Sequence, residues 1–230
     1  MTKTRWIIFA VVCVLALSGL IVFSKKDKAN VDNIDPAKII TTENGDHVFG
    51  NKDAKVVLFE YGDFQCPGCG GAYPQLKTIT EKYKNQVAFV FRNMPLTTIH
   101  PNALAAATVA EAASLQGKYW EMHDKLYETQ NDWSSASPTA RTDIFVSYAN
   151  DLGLNVDKFK ADLSSKTVSD KISRDRAIAN KLNVDSTPTI YVDNEKMDSA
   201  TISDVVQQKG DLLVKKLNDK LKAANVALPQ

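Results

Sequence analysis

Cysteine is nearly missing from this 230-residue chain: Cys13, Cys66 and Cys69 are the full set. That scarcity excludes a scaffold stapled by several disulfides. It also argues against structural zinc. Cys66 and Cys69 could supply half of a tetrahedral site, but there is no second cysteine pair, and His47, His100 and His123 are too widely spaced to complete a finger. A charge excess is absent too. The 28 Lys and Arg are matched by 27 Asp and Glu mixed along the chain, so no basic stripe marks a nucleic-acid footprint. No internal repeat or low-complexity tract occurs. The apolar share of 44% and charged share of 24% are those of an ordinary globular domain, so a packed core is expected.

One long uncharged run is present, from Trp6 to Phe23 (WIIFAVVCVLALSGLIVF). As a helix it would reach about 27 Å, close to the ~30 Å hydrocarbon core of a bilayer. It is longer than the roughly 7–15 apolar residues of a cleaved signal peptide. Its best small-residue boundary, Ala16-Leu17-Ser18, would leave an apolar stub if cut. A retained anchor over residues 1–24 is therefore expected, followed by a polar tether over 25–45. Basic residues flank the run on both sides (Lys3 and Arg5; Lys25, Lys26 and Lys28), so charge alone does not orient it. Cys13 reads as a small apolar residue in lipid.

Beyond the tether, Lys55–Tyr61 (KVVLFEY) is a short apolar run rich in β-formers and reads as a buried strand. A loop follows, and Cys66-Pro67 opens a helix to about Tyr83, since proline suits the first helical turn. Gly70 and Gly71 should weaken this helix and Pro74 should kink it. Val87–Arg92 is the next strand, which implies a right-handed parallel crossover. Helical patterns then follow without strand signals, through Pro101–Ser114, Lys118–Glu128, the stretches around Phe145 and Phe159, and Val168–Leu182. Thr189–Val192 returns to strand, with Asp193-Asn194 as a turn, Glu195–Met197 as a hairpin partner, and a last helix over Asp211–Ala224. The predicted order is β-α-β, a block of helices, then β-β-α.

Cys66-Pro67-Gly68-Cys69 is the chemically loaded segment. Two cysteines three apart on a first helical turn can bring their sulfurs to the ~2.05 Å of a disulfide. Cys66 sits at the helix N-terminus, where unpaired N–H groups favour a thiolate. Cys69 lies one turn in and is shielded. The spacing therefore predicts that Cys66 exchanges with a substrate and Cys69 closes on Cys66 to release it.

The sequence resembles the DsbA-like branch of the thioredoxin superfamily over about residues 46–225. The resemblance is carried by Phe59-Glu60-Tyr61-Gly62-Asp63-Phe64-Gln65 leading into the Cys66–Cys69 motif. It continues in Arg92-Asn93-Met94-Pro95-Leu96, His100-Pro101-Asn102-Ala103 and Thr187-Pro188-Thr189-Ile190-Tyr191-Val192. It implies an α/β thioredoxin-like fold with a helical insertion at about 100–182. Pro188 matches the family's cis-proline opposite the cysteines, and the backbone of Thr187 is implied to pair with an extended substrate segment. Phe64, Pro67 and Gly68 join Thr187 as implied substrate contacts. Glu60 matches a buried acid that relays the Cys69 proton. A structural role such as helix capping is expected for His100, and packing for His123.

The fold does not set the direction of electron flow. Strong oxidases of the family often carry histidine at the Gly68 position, so a milder oxidant is expected here. A dithiol oxidase is expected, anchored in the cytoplasmic membrane by the single apolar span, with its domain outside, where disulfides persist. It would donate its disulfide to reduced secreted or surface proteins and be reoxidised by a quinone-linked membrane partner, with no tightly bound cofactor or metal. The alternatives are a reductase or isomerase of the same fold, or a non-catalytic peptide-binding module.

Overall fold

A computed structural model of the chain describes residues 45–230. The expected anchor, the tether up to residue 44, and Cys13 lie outside the described residues. Among the described residues, no helix is long and apolar enough to cross a membrane.

Five strands make one sheet: β1 (His47–Gly50), β2 (Val56–Gly62), β3 (Val87–Asn93), β4 (Thr189–Val192) and β5 (Glu195–Lys196). Their spatial order is β1-β3-β2-β4-β5. β2 and β3 are parallel and joined by helix α1 (Pro67–Tyr83), the expected crossover; every other pairing is antiparallel. All seven residues of the central strand β2 are buried, as a strand covered on both faces requires. Side chains alternate across it. Val56 and Leu58 face the larger core with α1, whereas Val57, Phe59 and Tyr61 face a smaller core. The alternation puts Glu60 on the α1 side.

Six helices fill the interval between β3 and β4: α2 (Ala103–Ser114), α3 (Tyr119–Glu128), α4 (Gln130–Trp133), α5 (Pro138–Asp151), α6 (Val156–Asp162) and α7 (Lys166–Lys181). Ser137, Asn155 and Ser165 cap α5, α6 and α7 by accepting a backbone N–H three residues on. After β5 come α8 (Ser199–Val206) and α9 (Asp211–Ala223). Leu213, Leu217 and Leu221 form the fully buried stripe of α9, at a spacing of one helical turn. Each contributes on the order of 1.5–3 kcal/mol by leaving water.

Three elements differ from the sequence reading. β1 is a four-residue edge strand whose place depends on pairing with β3, a long-range fact that leaves no periodic trace. α4 is a single turn. α8, absent from the predicted order, does carry a local signal: Asp198 caps it by accepting the Thr201 N–H at 2.8 Å.

β1, β3 and α7 are locked by buried charges. Arg92, fully buried, donates to Asp46 at 2.6 and 3.2 Å and to the Tyr61 hydroxyl at 2.8 Å. Asp175 accepts from Lys171 at 2.6 Å and from the Asn93 backbone N–H at 2.9 Å. Strand β3 is thus held in register at the end that leads toward the cysteines.

Candidate active site

The cysteine motif lies where β2 turns into α1. Cys66 is the N-cap residue with extended backbone, and Pro67 follows in the first turn. Because proline has no N–H, it removes one of the donors that a helix start leaves unpaired. α1 continues as one helix through Pro74 to Tyr83. Both thiols are free, with Cys66 8% exposed and Cys69 fully buried.

The two sulfurs differ as their positions dictate. The Cys66 thiol is lowered from an ordinary 9.0 to about 5. The Cys69 thiol is the main cause, and Thr187 and the backbone N–H groups of Cys69 and Gly68 assist, against the opposing effect of burial. The Cys69 thiol is pushed well above its ordinary value by burial, by donating to Cys66, and by nearby Glu60. Cys66 is therefore the anionic sulfur of the reduced pair and Cys69 the protonated one.

Thr187-Pro188 is a cis peptide bond. The Thr187 carbonyl lies 3.4 Å from Cys66 Sγ and accepts from that sulfur when it carries a proton. Gly68 closes the arrangement: a Cβ there would stand 3.3 Å from Pro188 Cδ and 3.7 Å from Cys66 Sγ. Pro67 is exposed, while Gly68, Thr187 and Pro188 are half-buried, so these four make an accessible rim around Cys66.

Phe64 does not share that rim. It is 1% exposed and stacks beneath the loop against Phe91 and Tyr127, with ring centroids 5.0 Å away in each case. The expected substrate contact at Phe64 is replaced by a packing role, because an aromatic ring next to this core gains more by burial than by exposure.

Glu60 is 3% exposed, and its Oε1 has no hydrogen-bond partner. Burial first, and the charge of Cys66 second, raise its carboxyl from 4.5 to about 8. It therefore holds a proton at neutral pH while the cysteines are reduced. His100 does not cap a helix. Its Nδ1 meets Asp63 Oδ2 at 2.7 Å, and the same oxygen accepts the Leu96 N–H at 2.9 Å. Together these contacts pin the loop preceding Cys66.

A set of amides without any local sequence signal ties this loop to the helical insertion. Gln130 Nε2 donates to the Phe64 and Cys66 carbonyls at 2.7 and 2.9 Å. It passes where a side chain at Gly70 would be, since a Cβ there would lie 2.4 Å from Gln130 Oε1. Gln65 bridges in the other direction, donating to the Ser134 carbonyl at 2.7 Å and accepting the Asn102 N–H at 2.6 Å. Gly70 was legible only as a weak point of the helix. Its cause is a contact 60 residues away in sequence.

Comparison with known proteins agrees with this geometry. The thioredoxin family model matches residues 42–208. A thioredoxin-like oxidoreductase from Silicibacter pomeroyi shares 26% identity, with a TM-score of 0.59 over 76% of this chain and 96% of that one. BdbD from Bacillus subtilis superposes with a TM-score of 0.66 at 23% identity, covering 79% of this chain and 96% of that one. Wolbachia pipientis α-DsbA1 reaches 0.70 at 19% identity, covering 83% and 98%. Among curated proteins, the Na(+)/H(+) antiporter NhaA 3 of Salinispora tropica is 38% identical over 151 residues, 66% of this chain. The chain spans only 22% of that antiporter's length. With the family model covering most of its length and the DsbA-like architecture around Cys66 and Cys69, the chain belongs to the thioredoxin family.

Proposed function

We propose that the protein is a dithiol oxidase of moderate strength, passing the Cys66–Cys69 disulfide to pairs of protein thiols. A substrate thiolate attacks Cys66 Sγ, the Cys66–Cys69 bond breaks, and Cys69 leaves with the bonding electrons. Glu60 gives its proton to the departing Cys69 sulfur. The second substrate thiolate then attacks the substrate sulfur of the mixed disulfide. Cys66 is expelled as a stable thiolate, and the substrate leaves with its disulfide. Low pKa in a leaving thiol speeds that last step.

The observation that carries this reading is the split between the two sulfurs, one thiol lowered to about 5 and its neighbour pushed up. A value near 5 lies between the ~3.5 of the strongly oxidising DsbA and the ~7 of thioredoxin. The corresponding potentials are roughly −120 and −270 mV, so an intermediate potential is expected. Gly68 fits this, because it places no side chain on the thiolate. The half-buried Thr187-Pro188 edge suits an extended peptide paired by backbone hydrogen bonds. The expected substrates are reduced proteins outside the cytoplasmic membrane. The Trp6–Phe23 run would serve as a single-pass anchor and a quinone-linked membrane protein as reoxidant, a placement that rests on the sequence alone.

The deciding experiment is redox titration of Cys66–Cys69 against glutathione. A potential clearly above that of thioredoxin supports the oxidase, and one near −270 mV makes the protein a reductase. Loss of substrate oxidation in Cys66→Ser separates both from a peptide-binding module, which would keep its function.

A further inference from the structure

Glu60 is buried beneath the cysteines, yet the disulfide exchange proposed above requires its proton to be replaced in every cycle. Cys69, which takes this proton, is itself fully buried. Glu60 borders a cavity of about 30 Å3 between α1, α3 and the sheet. That is room for about two waters, at roughly 10–15 Å3 each. Phe49, Phe89 and Trp120 form its apolar walls, and Glu60, Tyr73, Lys77, His123 and Asp124 are among its polar groups.

Two of those groups carry buried polar atoms without a partner, Glu60 Oε1 and His123 Nε2. The other nitrogen of His123, Nδ1, lies 3.0 Å from Asp124 Oδ1. Asp124 is ion-paired with Lys77 at 2.9 Å, and the side chains of Asp124 and Lys77 are 31% and 40% exposed. The cavity is therefore lined by a buried acid, an imidazole with one unpartnered nitrogen, and an ion pair in contact with solvent.

We propose that His123, together with Asp124, carries protons between solvent and Glu60. A carboxylate at Asp124 accepts a hydrogen bond, so it selects the tautomer with the proton on Nδ1 and leaves the Nε2 lone pair for the cavity. Outward transfer takes the Glu60 proton through cavity water to Nε2, while the Nδ1 proton passes to Asp124 and on to solvent. Inward transfer is the reverse, and the ring alternates between its two neutral tautomers with no net change of charge.

The surroundings favour a mobile proton over a fixed imidazolium. Burial pushes the imidazole down, with Lys77 and His47 adding to this against the pull of Asp124. Around the ring, Tyr73 and Lys77 approach from α1, Tyr119 and Tyr127 from α3, and Phe64 and Phe91 from the cysteine loop and β3. Asp124 is held ionised by His123 and Lys77 although its own burial opposes this. His123 is thus a positioning and relay residue acting through Glu60, and does not touch the sulfurs.

The test is repeated turnover, with dithiothreitol as dithiol substrate, glutathione disulfide as reoxidant and the protein-catalysed loss of dithiothreitol thiols above the uncatalysed background as readout. In this reaction Cys69 must leave and take up a proton. His123→Phe and Asp124→Asn should each slow turnover about tenfold near neutral pH, a share of the 10²–10⁴ typical of general acid catalysis. Alkylation of Cys66 in the reduced protein should keep its wild-type rate. In a Glu60→Gln background, Asp124→Asn should have no further effect, which a merely structural role would not produce. Wild-type turnover in both folded variants, slowed Cys66 alkylation, or full additivity with Glu60→Gln would overturn the relay. If His123→Phe does not fold, Asp124→Asn and the double variant decide alone. A wild-type protein inert to dithiothreitol would instead refute the exchange activity.

Discussion

Replacing Glu60 with glutamine keeps the shape of the side chain and removes a proton-binding site buried beneath the cysteines. In the reduced protein the carboxyl titrates near 8, against 4.5 when unfolded. Between those values the unfolded chain has released the proton and the folded one retains it. The unfolded state therefore binds one proton fewer, and folding stability falls as pH rises, by about 1.4 kcal/mol per pH unit. At pH 7 the accumulated cost is about 3 kcal/mol, and from pH 8 upward it levels off at about 5 kcal/mol. Below pH 4.5 both states are protonated and the cost vanishes. Glu60→Gln has no such dependence, though the buried amide brings a constant cost of its own.

The quantity to measure is thus the stability difference between variant and wild type as a function of pH. Urea unfolding of both proteins, fully reduced, at half-unit steps from pH 4 to 9 provides it. The difference should shift in favour of Glu60→Gln between about pH 4.5 and 8 and be flat on either side. Oxidation removes the Cys66 charge, the second cause of the shift, so the upper limit of the rise should move to lower pH in the disulfide form. A difference flat from pH 5 to 8 would mean that Glu60 is ionised in the folded protein, and would refute its role as the acid for Cys69.

Three further outcomes follow from the same geometry. Thiolate absorbance and the iodoacetamide reactivity of Cys66 should fall away with a midpoint near pH 5 as the solution is acidified. A midpoint near 9 would remove the basis for an oxidising pair. Gly68→His places a donor beside Cys66 Sγ, and a hydrogen bond to a charged group contributes about 1.5–3 kcal/mol. Glutathione titration should therefore read some 30–60 mV more oxidising; an unchanged potential would show that the side chain cannot reach the sulfur. Asp46→Ala leaves Arg92 buried with its ion pair broken, so chemical denaturation should show a loss of about 3–5 kcal/mol. A loss under 1 kcal/mol would mean that water or another acid replaces Asp46.

Local chemistry made much of this protein legible from its sequence. A β-rich run, a proline at a helix start and a three-residue cysteine spacing locate β2, α1 and the two sulfurs, because each depends on neighbours within one or two turns. The inequality of Cys66 and Cys69 is of the same kind, since it reflects position along a single helix. The helices between β3 and β4 show their 3.6-residue period, whereas β1 does not, as an edge strand is created by its partner. Tertiary structure alone decided which residues meet. It put Phe64 beneath the loop instead of on its surface, joined His100 to Asp63, and sent Gln130 across Gly70 to hold the cysteine loop. His123 shows the division most clearly. In sequence it falls in register with Tyr119 and Tyr127 and reads as one more core position. Only packing of α3 against α1 and the sheet gives it a cavity shared with Glu60, because burial and long-range proximity, which set the chemistry of an ionisable group, are not properties of local sequence.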